Sequence, residues 1–266
     1  MGDGIERVAF KSTAGDIIGK TNRVPQVQET PMTDLKIWKI VFEIRYPAAA
    51  NLFDNRGKIA AKWQWTSDLS EWRISNNQVS VHNKSGTTFL NAGFKNTSIV
   101  MELPENHTQF SERALEFSTW VLDLLQIKSI DRIGLRIIQL AKRQHFKLLV
   151  SKMREELFKL GEEDWASLGG QPEDLAFPLS LTLGENKANF TLGPMKSDQL
   201  ANLFESNDVK SKLPSVAVFL DFDLFRSEPN FSPETRSKNL GDFLKSGSQQ
   251  ILNISDKFLA RYGDFK

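Results

Sequence analysis

Apolar and polar residues alternate with a period of two over residues 35–46, and this predicts the first strand. Ile37, Lys39, Val41, Glu43 and Arg45 share one face, and Trp38, Ile40, Phe42, Ile44 and Tyr46 share the other. Pro47 ends the run. Residues 48–63 predict a short helix carrying Leu52, Phe53, Ile59 and Ala60. Residues 71–75, 78–82, 87–91 and 98–103 read as strands of an antiparallel meander, because Asn76-Asn77, Lys84-Ser85-Gly86 and residues 93–96 have turn compositions. Over residues 111–126 the period becomes helical through Ala114, Leu115, Phe117, Val121, Leu122 and Leu125, with Ser111 as the expected N-cap.

Residues 129–140 are the most informative stretch. The alternation is that of a strand, yet Arg132, Gly134 and Arg136 fall on one face and Ile133, Leu135 and Ile137 on the other. Two guanidiniums on one sheet face require carboxylates, phosphates or water. A helix is expected over 146–160. Gly184-Glu185-Asn186-Lys187 predicts a hairpin between strands at 175–183 and 188–192. Residues 194–213 read as irregular or weakly helical, 214–225 as an apolar strand, and 232–262 as a long helix.

The strand 98–103 and its helix match residues 215–221 and theirs, each followed by a polar loop and Phe-Ser (Phe110-Ser111, Phe231-Ser232). The expected fold is therefore α+β, with two split-βαβ (ferredoxin-like) halves on mainly antiparallel sheets. The expected organisation is an arm at 1–34, with a short strand near Ile17 and Ile18, a first module at 35–160, a linker at 161–174 and a second module at 175–266.

Composition narrows the chemistry. The chain has 266 residues, a net charge of +1, three histidines and no cysteine. Disulfides, zinc thiolates, iron–sulfur clusters and a thiol nucleophile are excluded, and no close His pair suggests a metal site. No cofactor is expected. No apolar run approaches membrane-spanning length, and no secretory signal opens the chain, so the expected location is the cytoplasm. Residues 1–160 carry +6 and residues 161–266 carry −5, which permits the halves to attract each other or a second copy.

Val41-Phe42-Glu43-Ile44-Arg45-Tyr46-Pro47 and Arg132-Ile133-Gly134-Leu135-Arg136 are two motifs of moderate specificity, and the helix containing Trp120 precedes the second. On these residues, 35–160 resembles an uncharacterised bacterial family whose strand motif is of the type Arg-x-Gly-Leu-Arg-Tyr-Ile-Asn. Ile137 and Gln139 stand where that motif has Tyr and Asn. The resemblance implies no activity. Members of the family often look like companions of mobile or phage-defence gene clusters, which implies an accessory role.

Five constellations are candidates for function. Arg132 and Arg136, with Arg45 of the first strand, would bind an anion or a partner; otherwise they pair with Glu43, Asp131 or carboxylates of a neighbouring strand, and Gly134 makes a bulge. Asp221 and Asp223, two apart on a strand, would hold a divalent cation as in nucleotide-transferring enzymes, or mark a solvated strand end. Lys142, Arg143 and Lys147 form the densest basic patch. Trp63 and Trp65 would share one strand face and, with Trp72, offer aromatic surface or core. Leu244, Ile251 and Phe258 lie seven apart on the last helix and mark a stripe for an interface with the same or another protein. The leading expectation is a non-catalytic binding or assembly protein with a protein partner. An RNA- or nucleotide-binding module is second, and a metal-dependent nucleotide-transferring enzyme using Asp221 and Asp223 is third.

Overall fold

The first strand, β1 (Lys36–Arg45), is followed by helix α1 (Leu52–Gln64), a meander of β2 (Leu69–Ile74), β3 (Gln78–Asn83), β4 (Thr88–Gly93) and β5 (Asn96–Glu102), and helix α2 (His107–Leu124). The long strand β6 (Arg132–Arg143) follows, and the chain continues through α3 (Phe146–Leu157), α4 (Glu162–Ser167), the hairpin β7 (Phe177–Leu183) and β8 (Asn186–Lys196), short helices α5 (Ser197–Ala201) and α6 (Asn207–Lys210), β9 (Val216–Ser227) and α7 (Arg236–Tyr262). This computed structural model describes residues 35–262 apart from 65–67, 159–160, 168 and 171; the expected arm and Trp65 lie outside the described residues.

Both halves join in one antiparallel sheet of nine strands, in the order β2-β3-β4-β5-β1-β6-β9-β8-β7. The expected plural sheets are one because β6 of the first module pairs with β9 of the second, from Arg132 opposite Ser227 to Arg143 opposite Val216; within the first module β1 pairs with β6, from Arg45 opposite Arg132 to Lys36 opposite Leu140. The meander returns so that β5 pairs with β1, and β9 likewise pairs with β6.

One face of this sheet is the main core. Ile40, Phe42 and Ile44 of β1 lie beside Ile133, Leu135 and Ile137 of β6 and Phe222 and Leu224 of β9, all buried. α2 and α7 cover the centre of that face. Gly247 lets α7 approach closely, since a Cβ there would lie 3.0 Å from Leu224 Cδ2. α7 turns its apolar stripe onto this sheet: Leu244 and Ile251 are 1% and 0% exposed, and Phe258 packs against Phe177 and Phe190. Two interface candidates of this helix are therefore core residues, because a nine-stranded sheet is broad enough to cover the stripe. Arg236, itself buried, ties the start of α7 to the end of α2 by donating from Nη2 to the Ile127 carbonyl, with Asp123 3.5 Å from Nη1.

A smaller core lies on the opposite face at one end. Ile138 and Leu140 of β6 and Ala217 and Phe219 of β9 are covered by Leu200, Phe204 and Val209 from the α5–α6 segment. A register shift between Ile37 and Lys39 brings both Trp38 and Lys39 to Phe204. Lys39 Nζ donates to the Leu203 carbonyl (2.7 Å) and pairs with the fully buried Glu102 carboxylate (3.0 Å). Glu102 also accepts the backbone N–H groups of Glu205 and Ser206. One buried ion pair thus fastens the segment to the sheet.

Several local expectations are corrected. Trp63 belongs to helix α1 rather than to a strand, and is buried edge-on against Phe117 and Trp120. α2 starts a turn earlier than expected, at His107, because Asn106 supplies the cap by accepting from the N–H groups of Thr108 and Gln109. β6 extends through Lys142 and Arg143, which pair with Ala217 and Val216 of β9.

Candidate functional site on the open face of the sheet

Away from the α5–α6 cover, the second face of the sheet is polar and no helix lies on it among the described residues. Strand alternation puts Glu43 and Arg45 of β1, Arg132 and Arg136 of β6, and Asp221 and Asp223 of β9 on this face. Two separate candidates from the sequence therefore form one site. Asp221 and Asp223 stand mid-strand rather than at a solvated end.

The pairing is specific. Asp221 accepts from Arg136 through both oxygens, from Nε at 2.8 Å and Nη2 at 2.6 Å. This is a bidentate fork, the strongest geometry available to a guanidinium and a carboxylate. Asp223 accepts from Arg132 Nη2 at 2.8 and 3.1 Å. Arg132 Nη1 reaches Glu43 at 3.5 Å, and Glu43 also accepts from Arg45 Nε and from the Asn96 amide. Three arginines thus face three carboxylates.

Gly134 decides how Arg132 lies. A Cβ at Gly134 would sit 3.1 Å from Arg132 Nη1 and 3.3 Å from its Cζ. The guanidinium therefore runs along the strand over the bare glycine, with the Phe225 ring centroid 4.5 Å from Cζ. The β1–β6 register is continuous through Glu43 opposite Gly134, so there is no bulge here. The glycine makes room for this chain's own arginine.

Burial differs between the two pairs. The Arg132 side chain is 18% exposed and that of Arg136 is 43% exposed. Burial pushes the Asp223 carboxyl above its ordinary range, outweighing the pull of Arg132 and Arg136, and Asp221 pushes it the same way. The Arg136 guanidinium is held more firmly protonated, chiefly by its hydrogen bonds to Asp221.

Hydroxyl and amide groups carry the polar surface outward on both sides. Asn91 Oδ1 accepts from Ser80 and Gln78, and the Asn91 amide donates to Ser98, which lies opposite Glu43. On the other side Asn189 stands opposite Asp223, and Ser180 donates to Asn189. At the β2–β4 end the α6 segment walls a cleft of about 860 Å³ containing Arg73, His82, Lys84 and Phe89 together with Glu71, Glu205 and Asp208.

The basic patch lies elsewhere, at the β6–α3 corner. Lys142 and Arg143 end β6, Lys147 is in the first turn of α3, and Lys196 joins them because Arg143 and Lys196 both lie opposite Val216. The sequence alone does not connect Lys196 with the patch, since 53 positions separate it from Arg143. Only the strand order brings them together. Among the described residues no group of three or more His, Cys, Asp or Glu side chains is arranged to hold a metal ion, and no helix is long and apolar enough to cross a membrane.

No model of a known protein family matches this chain, and a search of curated proteins finds no match. The family resemblance of residues 35–160 rests on its motifs alone.

Proposed function

We propose that this is a non-catalytic binding and assembly protein that presents the open sheet face around Arg136 and Asp221 to a protein partner. We further propose that its two halves, 35–160 and 175–266, are related split-βαβ (ferredoxin-like) units joined at β6 and β9. The observation that carries the functional reading is the Arg136–Asp221 fork. Both oxygens of Asp221 are engaged, and Asp223 is held by Arg132. Carboxylates committed to guanidiniums are poor ligands for a catalytic divalent cation, which ranks metal-dependent nucleotide transfer third. The same fork is a partly exposed, charge-balanced patch, suited to a surface of mixed charge and unsuited to a polyanion.

The corner formed by Lys142, Arg143, Lys147 and Lys196 favours nucleic-acid binding as the second reading. The cleft beside the open face does not add to it, because Arg73 and Lys84 are set against Glu71, Glu205 and Asp208 there.

Two measurements on the purified chain separate these readings. Thermal unfolding with millimolar magnesium or manganese is expected to be unchanged; a rise that vanishes in Asp221→Asn/Asp223→Asn would promote the enzyme. Fluorescence anisotropy with a labelled single-stranded RNA is expected to show no binding at physiological salt. Tight binding lost in Lys142→Ala/Lys147→Ala would promote the nucleic-acid reading.

A further inference from the structure

The sheet has two edges, and they are built differently. β2 carries Glu71 and Arg73 and shifts register against β3 between Leu69 and Glu71. Charge and irregularity of that kind protect an edge from pairing with another chain. β7, at the other edge, reads Phe-Pro-Leu-Ser-Leu-Thr-Leu without one charged residue, and its register with β8 is unbroken.

The hairpin fixes which backbone groups of β7 face outward. Leu183 and Asn186 close a two-residue loop whose first residue, Gly184, has φ +66°. The closing pair of such a loop is hydrogen-bonded, and hydrogen bonding alternates from there. Leu181, Leu179 and Phe177 therefore bond to β8, while Thr182, Ser180 and Pro178 turn their backbone groups to the free edge. Pro178 agrees with this parity, since it has no N–H to give to β8. The outer edge thus offers the N–H and C=O of Ser180 and Thr182. Among the described residues no backbone bond reaches them. On the helix-covered face Phe177, Leu179, Leu181 and Leu183 are only half-buried, at the rim of the core.

We propose that β7 is a self-association edge, pairing antiparallel with β7 of a second copy of this chain about a two-fold axis at Leu181. In that register Ser180 of each copy exchanges two backbone hydrogen bonds with Thr182 of the other. A two-fold at Leu179 would place Pro178 opposite Ser180 and lose the donor, so the proline selects the register. The pairing is self-complementary, meets no like charge along the strand, and sets Leu181 against Leu181 and Leu179 against Leu183 of the other copy across the axis. Two nine-stranded sheets then continue as one. A seven-residue strand makes a small interface, so a dissociation constant of roughly micromolar is expected. This edge is separate from the open face and does not depend on its reading.

The test is sedimentation velocity of the full chain over a wide concentration range, with amide hydrogen exchange at low and high concentration. The wild type is expected to pass from monomer to dimer, and the Ser180 and Thr182 amides to become protected in the dimer alone. The Leu179 and Leu181 amides should be protected throughout. Ser180→Pro removes an outward donor without touching the β8 ladder, and Leu181→Lys sets like charges across the axis. Each should leave a monomer, with melting of the dilute protein unchanged for Ser180→Pro. A wild type that stays monomeric at hundreds of micromolar overturns the proposal. So does a dimer in which Ser180 and Thr182 exchange as fast as in the monomer, whatever the variants do. Protection of these two amides only on adding a different protein would also overturn it, and would assign the edge to a heterologous strand.

Discussion

The guanidinium of Arg132 lies over Gly134, occupying the space that a side chain there would take. The two positions should be energetically coupled. Arg132→Ala leaves Asp223 and Glu43 short of a partner and is expected to cost about 1–3 kcal/mol. Gly134→Val should displace Arg132 and cost a similar amount, while adding little in the Arg132→Ala background. A double-mutant cycle by urea unfolding reads this directly, and strictly additive effects would contradict the geometry.

Glu102 and Lys39 should govern the α5–α6 segment. Glu102→Ala strips two backbone N–H groups of their acceptor and leaves Lys39 buried without its carboxylate. We expect a loss of about 3–5 kcal/mol, with amide exchange fastest around Glu205 and Ser206. Uniform acceleration over the whole chain would mean that the ion pair supports the global fold rather than this segment.

Asp223 gives a pH dependence of defined sign. Its carboxyl is held above its ordinary value of 3.8, so the folded chain binds that proton more tightly than the unfolded chain. Its contribution therefore favours folding most below that value and is lost as pH rises through the raised one. Asp223→Asn keeps an oxygen for Arg132 and removes the titration. The variant's stability relative to wild type should grow from acid toward neutral pH in urea unfolding. A difference that stays constant or shrinks would contradict the burial argument.

Leu244→Ala and Ile251→Ala should behave as core substitutions. Each is expected to lower stability by about 2–5 kcal/mol without changing the concentration dependence of sedimentation. A change in association at unaltered stability would return the stripe on α7 to the role of an interface.

Period-two alternation was enough to find β1 and β6, and to place Arg132 and Arg136 on one face, because β-strand geometry alone dictates it. The long last helix and its apolar stripe were legible for the same kind of reason. The pairing of those arginines with Asp221 and Asp223 was not, because 85 and 91 residues separate the partners and only the strand order makes β6 and β9 neighbours. Gly134 was legible as a special position, but not its purpose, which depends on the rotamer of Arg132. Trp63 departs from its strand expectation because an aromatic pair two apart reads as a strand, while the helical period from Leu52 onward runs through it. The Lys39–Glu102 pair is not legible in the sequence, since each residue looks like an ordinary surface charge until the α5–α6 segment folds over them.

Capture from a lysate of the source cells on the immobilised chain tests the binding role of the open face most directly. The comparison is between wild type and Arg136→Ala/Asp221→Ala, which removes both members of the fork and so leaves neither charge unpaired. The wild type is expected to retain a protein that the double variant does not, at equal melting temperature. Retention of the same protein, in the same amount, by both forms would contradict the assignment of this face.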